Sequence, residues 1–198
     1  MSICVAIPSI CQHSYWLRDL LQSVEKQTLQ PCKIAIFISG IINCPSSSNN
    51  IEYKCSAIQQ TSGKARNILA RMCKTCEYTS FVDGDDLMMP YALQRMYELM
   101  RNNNATVGLH DYFYKKIPKI IYSHADLVRE RLVRESYPPF QISAHHAHVT
   151  IKTSSYIPQD VRHTRREDSK FIIDLWKKNE TFVYTREPLT RYMHRVNK

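Results

Sequence analysis

FVDGDDLMMP, Phe81 to Pro90, sets Asp83, Asp85 and Asp86 within four positions, directly behind an apolar strand-like run and directly ahead of a proline suited to opening a helix. Carboxylates crowded at a strand end repel one another, and burying them is costly unless hydrogen-bond donors or a cation compensate. Two accounts fit the decapeptide. One is an acidic turn leading into a helix N-terminus, where aspartate caps the chain and suits the helix dipole. The other is a set of hard oxygen ligands for Mg²⁺ or Mn²⁺, with phosphate oxygens filling the remaining positions and the ion stabilising a leaving diphosphate.

Moving outward, ICVAIPS is a strand ending at Pro8 and Ser9, and SYWLRDLLQSVEKQ carries Leu17, Leu20, Leu21 and Val24 at helical spacing behind a possible cap, Ser14. KIAIFIS is a continuous apolar run of the kind buried on both faces of a parallel sheet, followed by the loop GIINCPSSSNN. IEYKCSAI reads as a third strand. SGKARNILARMCK puts Ala65, Ile68, Leu69 and Met72 on one helical face behind Ser62 as cap. EYTSFVD is a fourth strand, and PYALQRMYELMRNN a helix opened by Pro90. Such alternation predicts a parallel sheet covered by helices, whose ligands collect at the carboxyl ends of the strands. Ser9, Ser39 and Asp83 to Asp86 all fall there.

The second half reads differently. ATVGLHDYFYKKI, KIIYSH and AHVTIKTS look like strands, ADLVRERLVRES like an amphipathic helix, EDSKFIIDLWKKN like another helix and TFVYT like a short strand before a polar tail, REPLTRYMHRVNK. His145, His146 and His148 alternate, so His146 and His148 share a strand face. No neighbouring cysteine or acid completes a zinc set, and acceptor-site or core histidines are the simpler reading.

A chain of 198 residues with 43% hydrophobic and 23% charged residues has the composition of one folded domain, and no apolar run approaches the roughly 20 residues of a membrane span. MSICVAIPSIC lacks the basic start of a secretion signal. Seven cysteines, an odd number scattered over strands and helices, suggest reduced thiols and a cytoplasmic protein. The one C-x-x-C, Cys73 and Cys76, has no second pair at zinc-ribbon spacing. A net charge of +9 calls for an anionic partner: nucleic acid, an acidic membrane surface touched peripherally, or a phosphorylated small molecule.

VAIPS, LLQSVEKQTLQPCKIAIFISG, SGKARNILA and YTSFVDGDDLMMPYALQRM, in that order and spacing, resemble the N-terminal half of family 2 glycosyltransferases with the GT-A fold. RREDSKFIIDLW resembles the family's later E-D motif, and RYMHR its C-terminal aromatic-basic-His segment. The resemblance implies an α/β fold with a Rossmann-like, mixed but mainly parallel sheet flanked by helices. It also implies a single domain over 1–198, in which 1–112 bind a nucleotide sugar and 113–198 the acceptor.

The activity implied is metal-dependent, inverting transfer of a sugar from a nucleotide-diphosphate donor to a hydroxyl of a glycan or glycoconjugate. Asp168 would be the general base. Pro8, Ser9, Ser39, Lys64, Arg66, Asp83, Gly84 and Asp85 would bind the donor, and Asp85, Asp86 and His194 would hold Mn²⁺ or Mg²⁺. His146, His148 and Glu167 would face the acceptor. These roles are chemically coherent, because one in-line displacement needs one base and a stabilised leaving group, whereas a glycosidase needs a second carboxyl group as acid. Where the family commonly carries an acidic base-reading residue after the second strand, this chain has Ser39 and Gly40, with uridine still the expected base.

Apart from the resemblance, Glu167 and Asp168 also suit a helix start with Arg165 and Arg166 as partners, and Arg66 could be a solvated surface cation. Two other functions compete. A nucleotidyltransferase would usually announce a glycine-rich phosphate loop, and only four glycines occur in the chain. A basic module for nucleic acid or membrane would lack a use for the aspartates, and no aromatic-basic motif supports nucleic acid as a partner.

Overall fold

ICVAIPSI and KIAIFIS form two adjacent interior strands of the sheet in the computed structural model of the chain, which describes residues 2–114, 121–122, 149–161 and 167–193. β1 (Ile3–Ile10) and β2 (Lys33–Ser39) run parallel with Ala6 beside Ala35. β3 (Ile51–Ser56) joins parallel outside β2, and β4 (Tyr78–Phe81) joins parallel on the other side of β1. Cys4 to Ile7 and Ala35 to Ile38 are buried, which is why these runs carry no polar alternation.

Beyond β4 the sheet turns mixed. β8 (Val149–Lys152) lies antiparallel to β4, and β6 (Val107–Tyr114) antiparallel to β8. β9 (Phe182–Tyr192) runs parallel to β6 and pairs with the short β5 (Leu87–Met88), while β7 (Ile121–Tyr122) pairs with β6 off the main path. Among the described residues the sheet has nine strands, eight of them in the order β3-β2-β1-β4-β8-β6-β9-β5.

Helices cover both faces. α1 (Ser14–Glu25) and α3 (Ala92–Asn102) set Leu17, Leu20, Val24, Leu93, Met96 and Met100 against one face. α2 (Ser62–Met72) and α4 (Glu167–Lys177) set Leu69, Met72, Phe171, Ile172 and Leu175 against the other. Each such side chain stabilises the fold by roughly 1.5–3 kcal/mol through burial. The architecture is the expected α/β sheet flanked by helices. Among the described residues, no helix is long and apolar enough to cross a membrane.

Several local expectations need correction. The cap of α2 is Thr61, whose hydroxyl accepts the Lys64 N–H, and Ser62 is the first helical residue. Pro90 does not open α3, which begins at Ala92; its carbonyl instead accepts the Thr28 N–H at 2.8 Å, tying the end of α1 to this turn. Gln27 reinforces the tie: its amide donates to the Met89 carbonyl and accepts from the Leu93 N–H. The polar tail is largely strand, for β9 continues through REPLTRY, burying Thr185, Leu189 and Thr190. A bulge opposite Asp111 accommodates Arg186 and Glu187 and lets Pro188 pair. The helix read in ADLVRERLVRES lies outside the described residues.

The thiols are not reduced. Cys4 pairs with Cys73, Cys32 with Cys76 and Cys44 with Cys55, leaving Cys11 free. Cys4, Cys32, Cys73 and Cys76 meet because β1, the β2 entry and the α2–β4 connection share one end of the sheet, whereas Cys44–Cys55 ties the β2–β3 loop to β3. The C-x-x-C therefore serves two separate disulfides.

Candidate active site

The acidic turn begins where β4 stops. The Val82 N–H donates to the Ala6 carbonyl and the Gly84 N–H to the Pro8 carbonyl at 3.1 Å, so the turn lies against the end of β1. A Cβ on Gly84 would stand 2.9 Å from Ser9 Oγ and 3.2 Å from Pro8 O, closer than side-chain carbons normally approach. Glycine is thus required here by the contact. The Asp86 N–H closes the turn on the Asp83 carbonyl.

Asp83, Gly84 and Asp85 form one wall of a cavity of about 320 Å³ at the carboxyl ends of the strands. Pro8, Ser9 and Ile10 from β1, Ser39 from β2, and Ser62, Ala65 and Arg66 from α2 complete it, with Gln59 and Gln60 from the β3–α2 connection. Pro8, Ser9, Ser39, Arg66, Asp83, Gly84 and Asp85 thus come together as the sequence resemblance implied. Lys64 does not: it is exposed on α2 and outside the cavity wall. Gln59 and Gln60 were missed; the available signal was their location directly after β3, at the ligand end of the sheet.

Asp86 has a different environment from its neighbours. It is fully buried, and its Oδ1 accepts the Met193 N–H at 2.9 Å, anchoring the end of β9. Asp85 is accordingly the member of the expected metal pair that reaches the cavity. A hard cation would meet Asp85 there, and Mg²⁺ is commonly held by one or two protein carboxylates when phosphate oxygens supply further ligands. Among the described residues, no three His, Cys, Asp or Glu side chains converge as a ready-made metal cage. His194, His146 and His148 lie outside the described residues.

Arg66 is the hub. Only 3% exposed, it donates to Asp168 at 2.9 Å and to Asp83 at 3.2 Å, with Glu167 at 4.0 Å. Burial pulls the guanidinium pKa down, and Asp168, Asp83 and Glu167 reverse this and raise it above its ordinary value. Arg66 was expected to bind the donor. It does line the cavity, but its two terminal nitrogens hold the acidic turn to the first turn of α4.

The neighbouring Asn67 fixes this geometry. Its amide donates to the Gln159 carbonyl and accepts from the Gln159 N–H and the Tyr156 hydroxyl, clamping α2 to the segment that precedes α4. Burial pushes the Tyr156 phenol well above its usual range, so the clamp keeps its proton. The A-R-N triplet therefore divides its work: Ala65 packs, Arg66 bridges carboxylates and Asn67 sets the helix spacing.

Comparison with known proteins bears on the family and the fold. The model of Glycosyl transferase family 2 matches residues 4–164. No curated protein matches the chain by sequence. Among solved structures, Staphylococcus aureus TarS 1-349 in complex with UDP-GlcNAc is similar over 100% of this chain and 60% of its own, with 15% identity and a TM-score of 0.76. The UDP complex of TarS 1-349 gives 98%, 60%, 15% and 0.74. At that identity the likeness establishes the fold, and this chain spans 60% of the length of those relatives.

Proposed function

The chain belongs to glycosyl transferase family 2, and from that premise we propose that it transfers a sugar from a nucleotide-diphosphate donor, of which a UDP-sugar is the leading candidate, to a hydroxyl of a glycan or glycoconjugate. The observation that carries this reading is the Arg66 bridge. It joins the acidic turn at Asp83 to Asp168, 102 positions from Arg66 in the chain, beside a cavity at the strand ends.

In this reading the nucleoside and diphosphate lie along Ser39, Ser9 and Asp83 to Asp85, with Asp83 on the ribose. Asp85 would hold a divalent cation together with diphosphate oxygens; the ion, when bound, offsets the charge that develops on the leaving group. Asp168 takes the proton of the acceptor hydroxyl as that oxygen bonds to the anomeric carbon. The bond from that carbon to the diphosphate oxygen breaks on the opposite face, and the electron pair leaves with the diphosphate. Configuration at the sugar inverts. Glu167 and the histidines His146 and His148 would face the acceptor.

The test is a panel of nucleotide sugars with Mn²⁺, read by thermal shift and by donor hydrolysis. A donor-induced shift is expected in the native protein and in Asp168→Asn, and its loss in Asp85→Ala. Hydrolysis should fall at least a hundredfold in Asp168→Asn. Full turnover in Asp168→Asn would remove it as the base. No shift with any donor, together with salt-sensitive nucleic-acid binding, would overturn the transferase reading.

A further inference from the structure

The cavity is electrically divided along the strand order. Its acidic end, Asp83 and Asp85, lies beyond β1 and β4, whereas the end beyond β2 and β3 is lined by Ser39, Gln59 and Gln60, neutral side chains. A diphosphate and its cation belong at the charged end. The neutral end is left for the uncharged part of the donor, the base.

We propose that Gln59 is the base-reading residue of this site and that the site accepts uridine and cytidine diphosphates alike. The inference rests on the nucleotide-donor reading above and concerns which base that donor carries. Gln60 is the less free of the two amides, since its nitrogen donates to Ser56 Oγ at 2.9 Å and to the Ile58 carbonyl at 3.1 Å. Gln59 is exposed on the cavity rim and makes no side-chain hydrogen bond among the described residues.

An amide carries an acceptor oxygen and a donor nitrogen of nearly equal size, and rotating its last torsion exchanges them. Uracil presents an N–H flanked by two carbonyls, whereas cytosine presents a bare ring nitrogen beside an amino group. A carboxylate accepts only, so it favours the uracil edge and faces a lone pair on cytosine. The Gln59 amide satisfies either edge by turning over. The Ser39 hydroxyl, buried at the end of β2, can likewise donate or accept.

Titration calorimetry with UDP and CDP in the presence of Mn²⁺ tests this on the whole chain. The native protein should bind the two within about threefold. Gln59→Glu should favour UDP by about tenfold or more, the effect of replacing a hydrogen bond by an unsatisfied acceptor. Gln59→Ala should weaken both nucleotides to a similar extent. A native preference of tenfold or more, or an unchanged ratio in Gln59→Glu, overturns the inference and leaves the donor reading intact. Folded native protein that binds neither nucleotide overturns both.

Discussion

Replacing Arg66 by leucine tests whether the site is assembled by one buried cation. Its contacts to Asp168 at 2.9 Å and Asp83 at 3.2 Å each amount to about 5 kcal/mol of Coulomb attraction at an effective dielectric constant of about 20. Much of this is cancelled by taking the guanidinium out of water. Leucine removes the attraction but leaves three carboxylates facing one another. Breaking a buried pair from one side typically costs 3–5 kcal/mol. The Asp83, Asp168 and Glu167 side chains keep 25%, 18% and 16% of their exposure, so solvent softens the penalty and a loss of about 3 kcal/mol is expected.

Urea unfolding followed by circular dichroism measures that loss directly. A double-mutant cycle of Arg66→Leu with Asp168→Asn separates the electrostatic part, because removing one stranded carboxylate should restore at least 1 kcal/mol. Added salt should narrow the gap to the native protein by screening the remaining repulsion. Arg66→Lys keeps the charge but cannot fork between two carboxylates, so it should fall between native and leucine. A loss below 1 kcal/mol, or a coupling energy below about 0.5 kcal/mol, would refute the hub reading.

Gly84→Ala should lower stability by about 1–3 kcal/mol through the clash with Ser9 and Pro8 and weaken nucleotide binding more than tenfold; calorimetry reads the second effect and urea unfolding the first. His110 should make the fold acid-sensitive: burial lowers its pKa to about 4, against an opposing hydrogen bond to the Asp111 carbonyl. Between pH 6.5 and about 4 the unfolded chain binds a proton at His110 that the folded chain does not, so stability falls on acidification, by about 3 kcal/mol at most for this group. Subtracting the unfolding profile of His110→Gln over that window isolates the contribution, and parallel profiles would contradict it. Thiol titration of the folded protein should find only Cys11 reactive, with all seven cysteines reactive after reduction in denaturant; a higher count without reductant would contradict the pairing.

The N-terminal half of the fold was legible because each element carries its own signal. ICVAIPSI and KIAIFIS are apolar from Ile3 to Pro8 and from Ile34 to Ile38, as strands covered on both faces are, and the helices that follow keep a single apolar stripe. The second half of β9, beyond TFVYT, was hidden for the opposite reason. Its ladder tolerates Arg186 and Glu187 because the bulge leaves them out of the register, with Pro188 paired to Asp111 between two register shifts, so no alternation survives to be read. Pro90 misled because a proline that suits a first helical turn also suits a turn whose carbonyl is needed elsewhere, and the partner, Thr28, is remote in sequence. The cysteine reading failed likewise: pairing depends on which ends of the sheet the chain brings together. At the strand ends, which residues would meet was readable and which would pair was not. Asp86 differs from Asp85 only in where the backbone aims it, toward the Met193 amide.

That difference in partnership bears on the first ambiguity of FVDGDDLMMP, between a helix cap and a charge requiring compensation. A capping explanation would need the aspartates to satisfy backbone N–H groups at the start of α3, yet that helix begins at Ala92 with no side-chain cap. Asp83 instead shares Arg66 with Glu167 and Asp168, so one cation faces three carboxylates, and Asp85 adds negative charge along the same cavity. A site with this balance repels a bare diphosphate even though the chain as a whole is basic, because short-range charge outweighs a screened net charge at contact distance. In the proposed reading, a divalent cation arriving with the nucleotide would resolve the conflict, with Asp85 and phosphate oxygens as the groups to hold it, while Arg66 keeps Asp83 and Asp168 in fixed relation.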